Sequence, residues 1–394
     1  MTDGAAAALR GLAVEEVLPG LQPAARTLQR RPFPLVDLRR REEEHPPFSG
    51  AAAFAADSRF MAQQYAAPVP LKPDPLLRAV DAAMNGGAIW AGGHLVPGSV
   101  HHNRFETMRE TAPPFDLLRA RGKLPRLPGA TALIHTPGFR NYFHWMTESL
   151  PRLEALAAYR RLGLGPLDRI VISQPAPQPF VMESIARFFP DLLPLVQAME
   201  KPRFDMDQGL FFLDWRGVGQ TFTRVKPTTA VFLERIAAEV AAMPRGPGRA
   251  LLVSRRDVDN RCLVNEDALL EAFAPLGLES VRFTGMKVEE QMRLMAEARL
   301  VVGVHGAGLT NAIFCRPGTA MLEITSTQYI RRSRSYADIA MFRGFPYAIA
   351  VVDQVGESWV VANNRGNDLE IAPDALPALR RLAETLLDRA ATAG

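Results

Sequence analysis

An α/β fold with two Rossmann-like domains, their parallel sheets facing a central cleft, is predicted by three features of the 394-residue sequence. From about residue 130 onward, short apolar β-branched runs alternate with segments of helical period, the pattern of βαβ units on a parallel sheet. A Pro/Gly-rich stretch, Met243-Pro-Arg-Gly-Pro-Gly-Arg249, splits the alternation into two series. The run Leu300–Val304 passes directly into His305-Gly306-Ala307-Gly308, as a buried strand does when it turns sharply under a ligand.

The elements follow in order. Residues 1–75 are rich in Pro, Ala and Arg, with weak periodicity, and are expected to be irregular; Arg39 to Glu44 reads as a solvated charge run. Gly86 to Ser99 reads as a hairpin around Gly92-Gly93, and Pro113-Pro114 and Pro125 to Gly129 as loops. Strands are expected at Thr131–His135, Arg169–Ser173 and Gly209–Asp214. Helices are expected at Tyr142–Leu162, with a break near Pro151, and at Phe180–Phe189 and Thr229–Met243. After the linker come strands at Ala250–Val253, Glu279–Phe283, Leu300–Val304, Ala320–Ile324 and Tyr347–Val352. They are interleaved with helices at Glu266–Phe273 and Val288–Ala298 and a short one after Gly308. An amphipathic helix, Pro373–Ala390, closes the chain. The expected division is therefore 1–75, an irregular region; 76–243 and 250–372, two α/β domains; and 373–394, a terminal helix.

Composition removes several functional classes. With 47% hydrophobic and 22% charged residues the chain can bury two cores. No run approaches a membrane span, and the Ala-rich N-terminus lacks a secretory-signal pattern. Cys262 and Cys315 are too few for a disulfide framework or a structural zinc site; both read as packing residues in a reducing, cytoplasmic setting. The net charge is +4, yet only five of the 46 basic residues are Lys and none of the Arg runs interleaves with aromatics. Nucleic acid is not an expected partner, while a weak attraction to an anionic membrane surface is compatible with the charge.

Four constellations could carry chemistry. The first is His305, Gly306, Ala307, Gly308, Leu309, Thr310 and Asn311 with Glu323. The free N–H groups of a helix start suit a diphosphate, although the pattern is neither Gly-x-Gly-x-x-Gly nor a P-loop. The competing reading is a tight structural turn with a buried His. The second is Ser254-Arg255-Arg256 with Arg261, Asn265 and Glu266, placed after a strand of the same sheet. Arg donors fit phosphate oxygens, against the alternative of a surface cluster in an Arg-rich protein. The third is His144 and Glu148, four apart on one helix face, which reads equally as a base with its orienting partner or as an ion pair. The fourth, Asp205-Met-Asp207, looks like a metal-binding D-x-D but reads better as a loop. His101-His102 has no spaced partner.

Three blocks in this order, N-Y-F-H-W-M-T-E-S-L-P-R-L (141–153), S-R-R with R-C-L-V-N-E (254–256 and 261–266), and E-E-Q-M-R-L-M-A-E-A-R-L-V-V-G-V-H-G-A-G-L-T-N-A-I-F (289–314) followed by P-G-T-A-M-L-E-I, resemble the family 61 glycosyltransferases, including bacterial members linked to capsule and surface polysaccharide synthesis. The resemblance implies a GT-B fold with the acceptor side in residues 76–243 and the donor nucleotide in 250–372. It implies inverting transfer from a nucleotide sugar, usually a UDP-sugar, to a saccharide or lipid-linked saccharide, with no metal or other cofactor. Carried over residue by residue, it gives Ser254, Arg255, Arg261, Asn265 and His305 through Asn311 to the donor, with Glu323 at the ribose. It gives His144 and Glu148 to the acceptor, leaving open which is the base. A nucleotide-sugar epimerase or hydrolase, or a non-catalytic nucleotide-sugar-binding module, would use the same plan.

Overall fold

The computed structural model describes residues 14–40, 50–85, 88–96, 99, 124–134, 138, 140–172, 177–199, 203–213, 225–355 and 367–393. His101-His102, Pro113-Pro114, His135, Ser173, Asp214 and residues 41–44 of the charge run lie outside them. The fold is mixed α/β, and the chain divides into two compact units. One holds residues 1–26, 71–222 and 226–232; the other holds 27–70, 223–225 and 233–394.

The first unit is built on a mixed sheet, not the parallel one expected. Val196–Ala198, Arg169–Ile172, Arg126–Leu133 and Arg203–Phe211 run parallel in that spatial order. Arg203–Phe211 then pairs antiparallel with Leu76–Asn85, which continues through Ala88–Ala91 to His94–Leu95 and also carries Val14–Leu18. The expected hairpin around Gly92-Gly93 forms, with φ of 56° and 79° at the two glycines, the pair of positive values a tight two-residue turn needs. Leu76–Asn85 escapes sequence reading because Ala79, Ala82, Ala83 and Met84 are all buried, so no polar alternation marks it.

Two loop expectations are corrected here. Pro125 to Gly129 is not a loop: the strand begins at Arg126 and holds a bulge at Pro128-Gly129, where Gly129 takes φ +76°. Asp205 and Asp207 lie inside the opposite strand. Asp207 accepts the Gly129 N–H at 2.9 Å and an Arg126 N–H at 2.8 Å, contacts that hold its carboxyl below the ordinary range.

The second unit holds an all-parallel, six-stranded sheet in the order Leu278–Val281, Arg249–Val253, Ala298–Val304, Ala320–Thr325, Tyr347–Val351, Leu35–Asp37. Its central strands are mostly apolar and buried, with Glu323 the buried charged exception. Leu252, Leu300, Val302, Leu322 and Ala350 form one core with Leu269 of the helix Glu266–Ala272, its C-cap Phe273, and Leu379, Ala383 and Leu386 of the helix Leu376–Ala393. The N-terminal stretch carries more order than its weak periodicity suggests: besides the edge strand Leu35–Asp37 it contains the helix Gly50–Gln64. The helix Arg334–Arg343, also absent from the sequence reading, ends at Gly344 with φ +73°.

Candidate functional site

Strand order places the first candidate site. From Arg249–Val253 the chain moves outward to Leu278–Val281, then crosses back to Ala298–Val304 on the other side. The reversal opens a crevice at the carboxyl ends of Arg249–Val253 and Ala298–Val304, where open α/β sheets bind ligands. The residues that follow those two ends are Ser254-Arg255 and His305-Gly306.

Close packing explains the glycines. Val253 and Gly303 are direct partners in the ladder. A Cβ on Gly303 would lie 2.8 Å from Leu309 Cδ2, and one on Gly308 would lie 2.8 Å from Val253 Cγ1. The 3₁₀ helix Ala307–Phe314 can therefore start hard against the neighbouring strand. Gly306 faces the Arg255 guanidinium, whose Nη1 would be 1.9 Å from a Cβ there. Its φ of 176° is ordinary extended backbone, so space rather than conformation demands glycine.

Arg255 and Arg261 converge on this turn. Arg255 donates from Nε to the Arg261 carbonyl at 3.1 Å and from Nη2 to the Asn260 carbonyl at 2.8 Å. Arg261, held at φ +54°, donates from Nη1 to the His305 carbonyl at 3.1 Å and stacks its guanidinium 4.5 Å from the Tyr329 ring centre. Among the described residues neither arginine has a carboxylate partner. Burial, then mutual repulsion with Arg261, draws Arg255 down to about 10; burial also lowers Arg261. Two desolvated cations without a counter-ion are costly unless an anion joins them. The N–H groups of Ala307 and Gly308, in the first helical turn, add donors with no acceptor among the described residues.

His305 completes the cluster. Its Nδ1–H donates to Glu323 Oε1 at 2.6 Å, the tautomer being set by that carboxylate. Burial lowers the His305 pKa below its ordinary value; Glu323 opposes the shift, and Arg261 and Arg255 reinforce it. Tyr329 and Tyr336 pack at 5.4 and 5.1 Å between ring centres, and Tyr336 donates its hydroxyl to the Gly306 carbonyl at 2.6 Å.

Several residues assigned to the donor are otherwise engaged. Glu323, expected at the ribose, is fully buried and accepts from His305, from Ser333 at 2.6 Å and from Tyr347 at 2.5 Å, contacts that hold the His305 ring in place. Ser254 donates to Glu266 at 2.9 Å. Asn265 spans the backbone of Ile371, at 2.7 and 3.1 Å. Asn311 donates to Gln291 at 2.8 Å; Leu309 and Thr310 are buried within the 3₁₀ helix. Arg255, Arg261, His305, Gly306, Ala307 and Gly308 remain at the crevice. Tyr329 and Tyr336 were missed, because nothing in their spacing ties them to a turn more than 20 residues earlier. Cys262 donates its thiol to the carbonyls of Arg255 and Val258, closing the arginine loop, while Cys315 is buried, its thiol pushed up to about 12 by desolvation.

The second candidate site lies in the first unit. Asn141 caps the helix Tyr142–His144 by accepting the Phe143 N–H at 2.9 Å. The helix then widens over Trp145–Ser149, where the Leu150 N–H reaches the Trp145 carbonyl at 2.8 Å, an i to i+5 bond. Such π-turns occur often at functional sites. Across the turn His144 Nδ1 lies 3.0 Å from Glu148 Oε2, while His144 Nε2 bonds to nothing among the described residues. Gly138, at φ +90°, presses on the imidazole: a Cβ there would sit 2.7 Å from His144 Cδ2. Trp145 and Thr147 anchor the turn below, to Ser184 and Phe143. Among the described residues no three or more His, Cys, Asp or Glu side chains cluster as metal ligands, and no described helix is long and apolar enough to cross a membrane.

Residues 142–322 match the family model Glycosyltransferase 61. The match spans just under half of the chain, takes in His144, Glu148, Arg255, Arg261 and His305, and ends one residue before Glu323. Curated relatives are similar over shorter stretches. Beta-1,2-xylosyltransferase RCN11 of Oryza sativa subsp. japonica is 40% identical over 65 residues, 16% of this chain and 12% of that protein. The EGF domain-specific O-linked N-acetylglucosamine transferase of Mus musculus is 30% identical over 97 residues, 23% and 18% of the two chains. The chain thus spans less than a fifth of the length of either relative. Both relatives, like the Glycosyltransferase 61 family, are glycosyltransferases by name.

Proposed function

We propose that this protein is an inverting GT-B-type glycosyltransferase that moves a sugar from a nucleotide diphosphate, UDP-linked in the first instance, to a saccharide or lipid-linked saccharide hydroxyl at the cytoplasmic face of a membrane. One observation carries the reading: Arg255 and Arg261, desolvated and without a carboxylate, share the crevice at the sheet's switch point with the open N–H groups of Ala307 and Gly308. A diphosphate supplies the missing negative charge.

In this mechanism the acceptor oxygen attacks the anomeric carbon as its bond to the diphosphate breaks. The nucleoside diphosphate leaves with the bonding electrons, and Arg255, Arg261 and the two amides stabilise the charge that develops, a contribution on the order of a few kcal/mol per well-placed donor. His144, its Nδ1 held by Glu148, takes the acceptor proton at Nε2. The arginines take the part a divalent cation would otherwise play; Asp207, half of the candidate D-x-D, is already engaged with a backbone bulge and Arg126. Transfer that vanishes with a chelator and returns with a divalent cation would overturn this division of labour. The similar proteins are by name a xylosyltransferase and an N-acetylglucosamine transferase, so pentosyl and hexosaminyl donors are the first to assay.

The deciding experiment is a thermal-shift panel of nucleoside diphosphates. A ligand specific to the folded state stabilises by about 2.7 kcal/mol at a hundredfold excess over Kd. UDP is expected to stand out for the native chain and to lose its shift in Arg255→Ala; no response to any nucleoside diphosphate refutes the reading. His144→Ala is expected to lower turnover by about 10²-fold or more with the UDP shift intact. Full activity in that variant would move the base to Glu148.

A further inference from the structure

His305 stands out within the crevice because only one of its ring nitrogens is used. Nδ1 is fixed on Glu323, which is itself locked by Ser333 and Tyr347, so the ring cannot rotate without breaking a buried network. Nε2 has no partner among the described residues, although the side chain is only 11% exposed. A ring nitrogen with a lone pair and no donor, on a largely buried side chain, lies beside two arginine cations. Glu323 comes at the ring from the strand Ala320–Thr325, Arg261 and Arg255 from the loop after Arg249–Val253, Tyr329 from the turn before Ile330–Ser333 and Tyr336 from the helix Arg334–Arg343; Arg332 lies on the Tyr329 ring at 4.9 Å.

We propose that His305 takes up a proton from solvent when a diphosphate enters the crevice, and then donates Nε2–H to a phosphate oxygen while Nδ1–H stays on Glu323. The inference rests on the diphosphate reading of the site and adds the charge state in which that site works. In the empty crevice two arginine cations and burial oppose an imidazolium, and Glu323 alone favours it. A diphosphate reverses the balance, since it screens both arginines and places negative charge beside Nε2. Glu323 keeps the new cation paired inside the protein, as a buried charge requires. The product is a charge-assisted hydrogen bond to the leaving group, shorter and about twice as strong as one from a neutral donor. The proton comes from buffer and no bond other than N–H is made, so the step balances without a further reactant.

Calorimetric titration of UDP into the full chain at pH 7.5, in two buffers of different ionisation enthalpy, counts the protons exchanged. At that pH a terminal phosphate with a pKa of about 6 is mostly ionised, and arginines would favour its proton loss, so net uptake points to the protein. The native chain is expected to gain roughly half to one proton per UDP by linkage, and His305→Gln to gain none. UDP binding without uptake, or uptake that persists in His305→Gln, overturns the proposal and leaves the donor reading standing. UDP that fails to bind the native chain brings down both. Should His305→Gln not fold, the native chain still decides: a UDP Kd that rises by up to about tenfold per pH unit between pH 7 and 9 supports uptake, and a flat profile refutes it.

Discussion

At the scale of single residues, Gly306 and Gly308 do different work two positions apart. An added Cβ at 306 would meet the end of the Arg255 side chain, which can swing away; one at 308 would meet the branched, buried Val253 at the end of its strand. Gly306→Ala is therefore expected to fold with a near-native melting temperature while losing most of its UDP shift. Gly308→Ala should cost about 1–3 kcal/mol of stability, because a packed strand and helix must separate. Urea unfolding and nucleotide titration of both variants check the contrast, and equal effects on stability would refute it. His305 adds a pH dependence. Its folded pKa lies below the ordinary 6.5, so as pH falls through 6.5 the unfolded chain binds a proton that the folded chain resists. Stability of the unliganded protein is thus expected to drop across that window, by less in His305→Gln than in the native chain.

At the scale of elements, the helix pattern at 142–162 was legible, and so was its interruption near Pro151. The π-turn over Trp145–Ser149 was not, because a single widened turn leaves no signature in residue type. That turn nonetheless sets the spacing of His144 and Glu148. Asn141→Ala removes the cap of the helix that leads into it. A loss of about 1 kcal/mol in stability is expected, with a larger proportional loss in turnover than in nucleotide affinity. Five of the six parallel strands of the second unit were readable to within two residues, because they are short, largely apolar runs between helices; the edge strand Leu35–Asp37 was not, because it lies in a stretch of weak periodicity. The mixed sheet of the first unit was not, because strand direction leaves no mark on composition.

At the scale of the whole chain, the second unit depends on residues far away in sequence. Arg30 and Asp338 form a buried pair at 2.9 Å, 308 positions apart; Tyr65 donates to the same carboxylate at 2.8 Å, and the Arg30 guanidinium lies over the Tyr65 ring. Asp338 is on the helix that supplies Tyr336 to the crevice. Arg30→Ala leaves a buried carboxylate without its counter-ion and is expected to cost about 3–5 kcal/mol, visible as a lowered urea midpoint. A stability within 1 kcal/mol of the native value would show that the pair is solvated.

The sequence alone determined the alternation of strands and helices, the glycine turn after Val304 and the chemical identity of Arg255, Arg261, His305 and the His144–Glu148 pair. These are local properties: hydrophobic period, turn residues and side-chain type act over a few positions. Tertiary structure alone showed that the Glu323 carboxylate is taken up by His305, Ser333 and Tyr347, that Ser254, Asn265 and Asn311 bond to Glu266, Ile371 and Gln291, and that Tyr329 and Tyr336 pack against the His305 ring. Those assignments depend on which groups meet across the sheet. A side chain's hydrogen-bonding capacity can be read from its identity, but whether that capacity is already spent depends on neighbours that only folding brings into contact.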